Sequence, residues 1–183
     1  MLILPGLGGS GPGHWQTRWQ DVHPRYLRIE QRDWDHPRRE DWLAALDAAL
    51  AAADGPVALV AHSLGCALVA HAASRPSATV VAAALLVAPA DVDSPVHTPA
   101  ETRGFAPLPM RPLPFPATVV ASADDPFVTL SRARAFADAW GARFVDVGRR
   151  GHLNAASGLG DWPEGHRELE ELLARAGSPR GRV

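Results

Sequence analysis

Near the middle of the chain, Val57-Ala58-Leu59-Val60-Ala61 runs through His62-Ser63-Leu64-Gly65 into Cys66-Ala67. An apolar strand that enters a helix through small-x-Ser-x-small has the spacing of a nucleophile elbow. The turn is sharp enough to strain the serine backbone. Neighbours two residues to either side must therefore be small, and the hydroxyl is thrust above the sheet. Ala61 stands where the strict pattern has Gly, one methyl more than the motif asks for. The plain alternative is a Ser63 that caps a helix in an ordinary strand-to-helix turn.

A serine hydroxyl attacks only if a base takes its proton, and the base needs an acid to fix its tautomer. Candidates for both follow in chain order. Ala117–Ser122 is an apolar run that ends in Ala123-Asp124-Asp125-Pro126-Phe127-Val128. Arg143–Val147 ends in Gly148-Arg149-Arg150-Gly151-His152. Each site falls where a strand ends, on the carboxyl edge at which parallel sheets hold ligands. The order Ser, acid, His is the one this chemistry uses on such sheets. Asp125, directly before Pro126, is favoured as the acid, with Asp124 read as a loop-capping turn residue. Asp91 and Asp93, after the preceding strand, are a further acid position. An oxyanion hole needs two backbone N–H groups. Leu64, after the nucleophile, supplies one; Leu7, in Pro5-Gly6-Leu7-Gly8-Gly9, supplies the other.

Other readings compete for some of these residues. Gly6-Leu7-Gly8-Gly9-Ser10-Gly11 fits Gly-x-Gly-x-x-Gly, with Glu30 and Asp33 about twenty residues on, as in a dinucleotide-binding fingerprint. Pro12-Gly13 follows at once, where that fingerprint needs a helix. The remaining histidines show no His-Glu-x-x-His spacing, so no metal site and no cofactor are expected. His62 reads as a packing and hydrogen-bonding residue. His14, in the loop after the first strand, lines the pocket or lies on the surface.

These residues need elements to position them. The chain has 183 residues, 46% hydrophobic and 21% charged, about one domain's worth. Strands are expected at Leu2–Leu4, Tyr26–Gln31, Val57–Ala61, Val80–Ala88, Ala117–Ser122 and Arg143–Val147. The continuous apolar runs of Val57–Ala61 and Val80–Ala88, and in the same way Ala117–Ser122 and Arg143–Val147, suit strands covered on both faces, whereas Tyr26–Gln31 reads as an edge strand. Helices are expected over Arg38–Asp54, Leu64–Ser74, Ser131–Trp140 (capped by Ser131 and stopped by Gly141) and Pro163–Ala176. The alternation implies a single-domain α/β fold: about six mostly parallel strands, helices on both faces, no large lid domain. The domain spans 1–177, with 178–183 a flexible tail. Eight of the seventeen prolines fall between Pro89 and Pro116, which excludes a regular helix there and marks a crossover or a binding loop. Phe105, Leu108 and Met110 of that segment, with Trp15 and Trp162, are candidate pocket-shaping residues.

Charge and composition exclude several classes. The net charge of −2 argues against nucleic acid and a polybasic membrane contact. All 18 basic residues are Arg, so lysine Schiff bases and a phosphate-binding lysine loop are excluded. Cys66 is the one cysteine, which excludes an intrachain disulfide. The start of the chain shows no targeting pattern, and Val80–Ala90 is too short to span a bilayer, so a cytoplasmic location is expected.

Taken together, Leu4-Pro5-Gly6, His14-Trp15-Gln16, Asp33-Trp34, Ala61-His62-Ser63-Leu64-Gly65, Asp124-Asp125-Pro126-Phe127-Val128 and Gly151-His152 resemble the small serine hydrolases related to retinoblastoma-binding protein 9. The likeness is to their bacterial branch within the α/β-hydrolases. It extends through Asn154–Pro163 and covers about Leu2 to Leu173. The resemblance implies a triad of Ser63, Asp125 and His152. It also implies activity on small esters, thioesters or amides. A retinoblastoma-type partner is not expected, because Leu64-Gly65-Cys66-Ala67-Leu68 lacks the Glu of Leu-x-Cys-x-Glu. A non-catalytic binding or scaffold protein on the same fold is the alternative.

Overall fold

The computed structural model describes residues 1–177, so the expected tail at 178–183 lies outside the described residues. Six strands form one sheet: β1 (Leu2–Leu4), β2 (Leu27–Arg28), β3 (Val57–His62), β4 (Val81–Val87), β5 (Ala117–Ala121) and β6 (Arg143–Asp146). Their order is β2-β1-β3-β4-β5-β6, and every neighbouring pair is parallel. β3 and β5 are buried at every position, as their unbroken apolar runs require.

Successive side chains of the inner strands feed opposite cores. Leu59, Ala61, Leu86, Val119 and Ala121 join Trp42 and Leu46 of α2 (Arg39–Ala51), Leu68 of α3 (Leu64–Ala72) and Phe136 of α4 (Leu130–Trp140). Ile3, Val60, Leu85, Val87 and Val120 turn the other way. They meet Trp15 and Trp19 of α1 (Trp15–Val22) and Leu169 and Leu172 of α5 (Pro163–Gly177). Helices therefore cover both faces.

The connectivity sets where a ligand can bind. From β1 the chain steps outward to β2, then returns across β1 to β3 and proceeds the other way to β6. The loops leaving β1 and β3 therefore diverge at the carboxyl edge, and a crevice opens between them.

Several expectations need correction. The second strand is two residues long, not six, because its neighbour β1 offers only three residues to pair with. α1 was not anticipated. α4 is capped by Thr129, whose Oγ1 accepts from Arg132 N–H at 3.2 Å, and not by Ser131, which lies inside the helix. Gly141 ends α4 in the left-handed conformation (φ 66°), as expected.

The proline-rich connection forms no α-helix and builds no separate domain; its one helical piece is the 3₁₀ turn Ala100–Phe105. It is fastened down. The Arg103 guanidinium donates to the carbonyls of Val92 and Ser94 and to Thr98 Oγ1. Phe105 is fully buried, edge-on to Trp42 with centroids 5.5 Å apart. Phe105→Ala should remove about 3–5 kcal/mol of stability. Urea unfolding monitored by circular dichroism would show it as a lowered midpoint with an unchanged slope.

Candidate active site

Ser63 sits between the end of β3 and the start of α3 with φ 53° and ψ −119°. This is a costly conformation for a residue with a side chain, and it persists only where surroundings enforce it. They do so here at close range. Ser63 N–H donates to the carbonyl of Val87 on β4 at 3.0 Å, and Cys66 N–H closes back on the Ser63 carbonyl at 2.9 Å. A Cβ on Gly65 would stand 2.3 Å from the Leu4 carbonyl oxygen, so only glycine lets α3 start this near β1. A Cβ on Gly6 would stand 2.8 Å from Ser63 Cβ and 3.1 Å from Leu64 N. The loop after β1 thus lies directly against the serine. The methyl of Ala61, the departure from the strict motif, is absorbed in the core.

The hydroxyl has a partner chain. Ser63 Oγ lies 2.9 Å from His152 Nε2. His152 Nδ1 lies 2.9 and 2.8 Å from the two carboxylate oxygens of Asp125. Nδ1 faces only acceptors, so it carries the ring proton, and Nε2 is left to accept from Ser63 Oγ–H. The Asp125 side chain is 0% exposed and that of His152 8%. Phe127 N–H donates to Asp125 Oδ1 at 2.9 Å, and the Phe127 ring packs on the imidazole with centroids 4.5 Å apart.

The other candidate acids are occupied elsewhere. Asp124 accepts from Gly151 N–H at 2.8 Å and from Ser122 Oγ–H at 2.9 Å; these bonds hold its carboxyl below the usual carboxylate range. Ser122 Oγ in turn accepts from Arg150 N–H at 2.8 Å. Asp124 is therefore more than a turn residue, since with Ser122 it pins the loop that carries His152. Asp91 and Asp93 both pair with Arg132, at 3.3 and 2.8 Å.

Three residues behind this line were not assigned positioning roles from sequence. Gln16 on α1 is fully buried and donates to the carbonyls of Leu4 (3.3 Å) and Val60 (3.0 Å), clamping β1 to β3 beside the crevice. His62 donates from Nε2 to the main-chain carbonyl of His152 at 2.9 Å. His14 caps α1, its Nδ1 accepting from Gln16 N–H at 3.1 Å, and its ring stands edge-on to His62 with centroids 4.6 Å apart. Burial pushes the His14 pKa down to about 3 and that of His62 well below its ordinary value. Both rings are neutral. The spacing Trp15, Trp19, Val22 on one helical face was the available sign of α1, and a histidine cap concealed its start.

The cavity beside Ser63 measures about 410 Å³. Its walls come from the Gly6–Gly11 loop, His14, Thr98, Pro99, Phe127 and the 154–156 turn, with no Arg, Asp or Glu among them. His14 lines it while almost wholly buried. Trp15, Phe105, Leu108 and Trp162, expected to shape it, are core residues, and Met110 is exposed elsewhere. The proline-rich segment contributes instead through its small residues. The glycine loop does not open directly into a helix as the dinucleotide fingerprint requires: α1 begins only at Trp15, and Asp33 caps its own turn by accepting from Asp35 and His36 N–H. Leu64-Gly65-Cys66 is buried in α3.

The chain matches the serine hydrolase family over residues 1–171. None of the curated proteins matches it. Among solved structures, a YdeN-like hydrolase from Pectobacterium atrosepticum is 33% identical, with 96% of this chain and 91% of that one covered and a TM-score of 0.86. The ydeN gene product of B. subtilis is 19% identical over 94% and 97% of the two chains, TM-score 0.73. The type II thioesterase BorB of the borrelidin biosynthetic cluster is 20% identical over 96% and 91%, TM-score 0.62. The last two show a shared fold.

The neutral histidines have a measurable consequence. The unfolded chain binds protons near the ordinary pKa of 6.5, whereas folded His14 does not until about 3. Stability must therefore fall as pH drops below 6.5, and on the order of 2 kcal/mol should be lost for His14 between pH 7 and 5. Thermal melts across that range should show Tm declining. The decline should be shallower in His14→Asn, which keeps a capping acceptor for α1.

Proposed function

The chain belongs to the serine hydrolase family, and on that premise we propose that Ser63, His152 and Asp125 form its catalytic triad, acting on a small ester, thioester or amide. The observation that carries this reading is the unbroken hydrogen-bond line Asp125–His152–Ser63 opening on the cavity. Ser63 Oγ attacks the substrate carbonyl carbon while His152 Nε2 takes its proton. Asp125 holds the ring and stabilises the imidazolium. The oxygen that becomes negative is met by two backbone N–H groups. Leu64 N–H, first in α3, has no intrahelical acceptor, and Leu7 N–H follows the glycine packed against Ser63. The tetrahedral intermediate collapses to an acyl-Ser63, and the Nε2 proton passes to the departing alkoxide, thiolate or amine. Water enters, gives a proton to Nε2 and attacks the acyl carbon; the acyl–Oγ bond breaks, Oγ takes the proton back from Nε2, and the acid leaves with Ser63 restored.

A carboxylesterase-like enzyme of this kind needs no cofactor, and we place its small-molecule reaction in the cytoplasm. His62 enters as a positioning residue, because its bond to the His152 carbonyl fixes the loop from which the base projects.

Intact mass after a fluorophosphonate probe should show one adduct on the native protein and none on Ser63→Ala. A folded native protein that takes no label would favour the scaffold alternative. Ser63→Ala should cost roughly 10⁴-fold or more in kcat, and Asp125→Asn roughly 10³- to 10⁴-fold. His62→Phe should lower kcat about tenfold with KM unchanged, the cost of about one hydrogen bond. His62→Gln, which can donate to the same carbonyl, should recover most of that loss; equal damage by both would remove the positioning role.

A further inference from the structure

We propose that the leaving group of the natural substrate carries an anionic group, a carboxylate or a phosphate, received by Arg149 and Arg150 in a depression on the far side of His152. The inference rests on the triad reading and extends it to substrate class. It starts from a contrast between two adjoining surfaces. The cavity at Ser63 has no Arg, Asp or Glu in its walls, and the buried His14 and His62 beside it are neutral. Whatever part of the substrate fills it is uncharged, since an unpaired charge there would lose its hydration without compensation. A second depression shares the ridge of Phe127, His152, Asn154 and Ala156 with that cavity, and Arg149 and Arg150 line its opposite side.

The chemistry says which half of the substrate reaches it. His152 Nε2 returns its proton to the leaving group, so the departing atom forms beside His152, and the rest of that group extends over the ridge. The acyl part, bonded to Ser63, stays in the uncharged cavity.

The two arginines are available for this. The Arg150 loop is anchored through its main chain, by Arg150 N–H to Ser122 Oγ, and its guanidinium makes no ion pair among the described residues. Arg149 is 79% exposed on its side chain and reaches Asp124 only at 3.7 Å. Among the described residues Asp124 is the carboxylate paired there: its Oδ1 accepts from Gly151 N–H and Ser122 Oγ–H, and its Oδ2 offers one negative charge against two guanidiniums. The balance of the patch is positive. Two guanidinium forks suit the planar oxygens of a carboxylate or the oxygens of a phosphate.

Three butyrate esters separate the possibilities: 4-(butyryloxy)benzoate, its methyl ester, and 4-(butyryloxy)benzylphosphonate. They share an acyl group and differ in the charge at the far end of the leaving phenol. The readout is the kcat/KM of each anion relative to the neutral ester, in native protein and in Arg149→Gln/Arg150→Gln, with Tm confirming the fold. The native ratio should exceed that of the double variant by about five- to tenfold at low salt, and the gap should close at high salt. A gap for the carboxylate alone or the phosphonate alone assigns the anion. A ratio that the double substitution leaves unchanged for both overturns the proposal. Failure of the triad reading looks different, because Ser63→Ala would then hydrolyse all three esters at the native rate. A turnover-free arm gives an independent answer: NMR titration of the Ser63→Ala protein with 4-hydroxybenzoate and with its methyl ester. Tighter binding of the acid, lost on removal of both arginines, supports the site; equal binding refutes it.

Discussion

The backbone of Ser63 is held in a conformation that isolated chains avoid, and three neighbouring segments are arranged so that it has no other choice. β4 fixes its N–H through the Val87 carbonyl. α3 starts one residue later and closes on its carbonyl through Cys66. The β1 loop presses on it from the front, so closely that neither Gly6 nor Gly65 leaves room for a methyl group. Strain of this kind costs a few kcal/mol locally and is sustained by burial around it. The strands that supply the burial are among the most enclosed parts of the molecule. The core and the serine are thus parts of one arrangement. Loosening the contact between α3 and the β1 loop would relax the very angle that lifts the hydroxyl above the sheet.

The parallel sheet converts this single turn into a site. Because β3, β5 and β6 run in the same direction, the loops that follow them emerge on one edge, and Ser63, Asp125 and His152 are delivered there from three separate strands. Delivery alone would leave them on mobile loops. Rigidity comes from polar ties beneath: Ser122 and Asp124 to the main chain of Arg150 and Gly151, and His62 to the carbonyl of His152. Gln16 performs the same service between β1 and β3. The bonds of Gln16 and His62 are made to buried carbonyls, so there the support is part of the hydrogen-bond accounting of the fold.

Much of this was legible in the residues. Apolar runs located the strands other than the edge strand β2, and the small-x-Ser-x-small spacing picked out Ser63. Asp-Pro and Gly-His after the last two strands picked out the residues that contact each other in space. What escaped the sequence had physical reasons. α1 lacks a Ser, Thr, Asp or Asn cap and is only eight residues long, so its tryptophans read as pocket or core candidates and not as a helix face. The length of β2 depends on what β1 can pair with, a property of the neighbour and not of residues 26–31. The cavity wall was misassigned because bulky apolar residues suit a pocket and a core equally. Trp15, Phe105 and Trp162 went to the core, and small residues such as Ala90, Thr98 and Pro99 went to the wall. Long-range polar ties such as Asp124 to Gly151, 27 residues apart, leave no periodic trace.

The electrostatics of the edge follow from burial more than from charge. Three histidines lie in a row, with His14 and His62 centroids 4.6 Å apart and His62 and His152 4.8 Å apart. Were His14 and His62 protonated, each would oppose the positive charge that His152 would take up in the proposed proton transfer. Burial keeps both neutral, and their other bonds fix the tautomers. His14 Nδ1 accepts from the helix and His62 Nε2 donates to a carbonyl. In the proposed reaction an imidazolium on His152 would then be balanced by Asp125 alone, at hydrogen-bond distance and out of solvent, where the attraction is least screened. The cavity free of Arg, Asp and Glu and the adjoining depression lined by Arg149 and Arg150 extend the same asymmetry outward from His152.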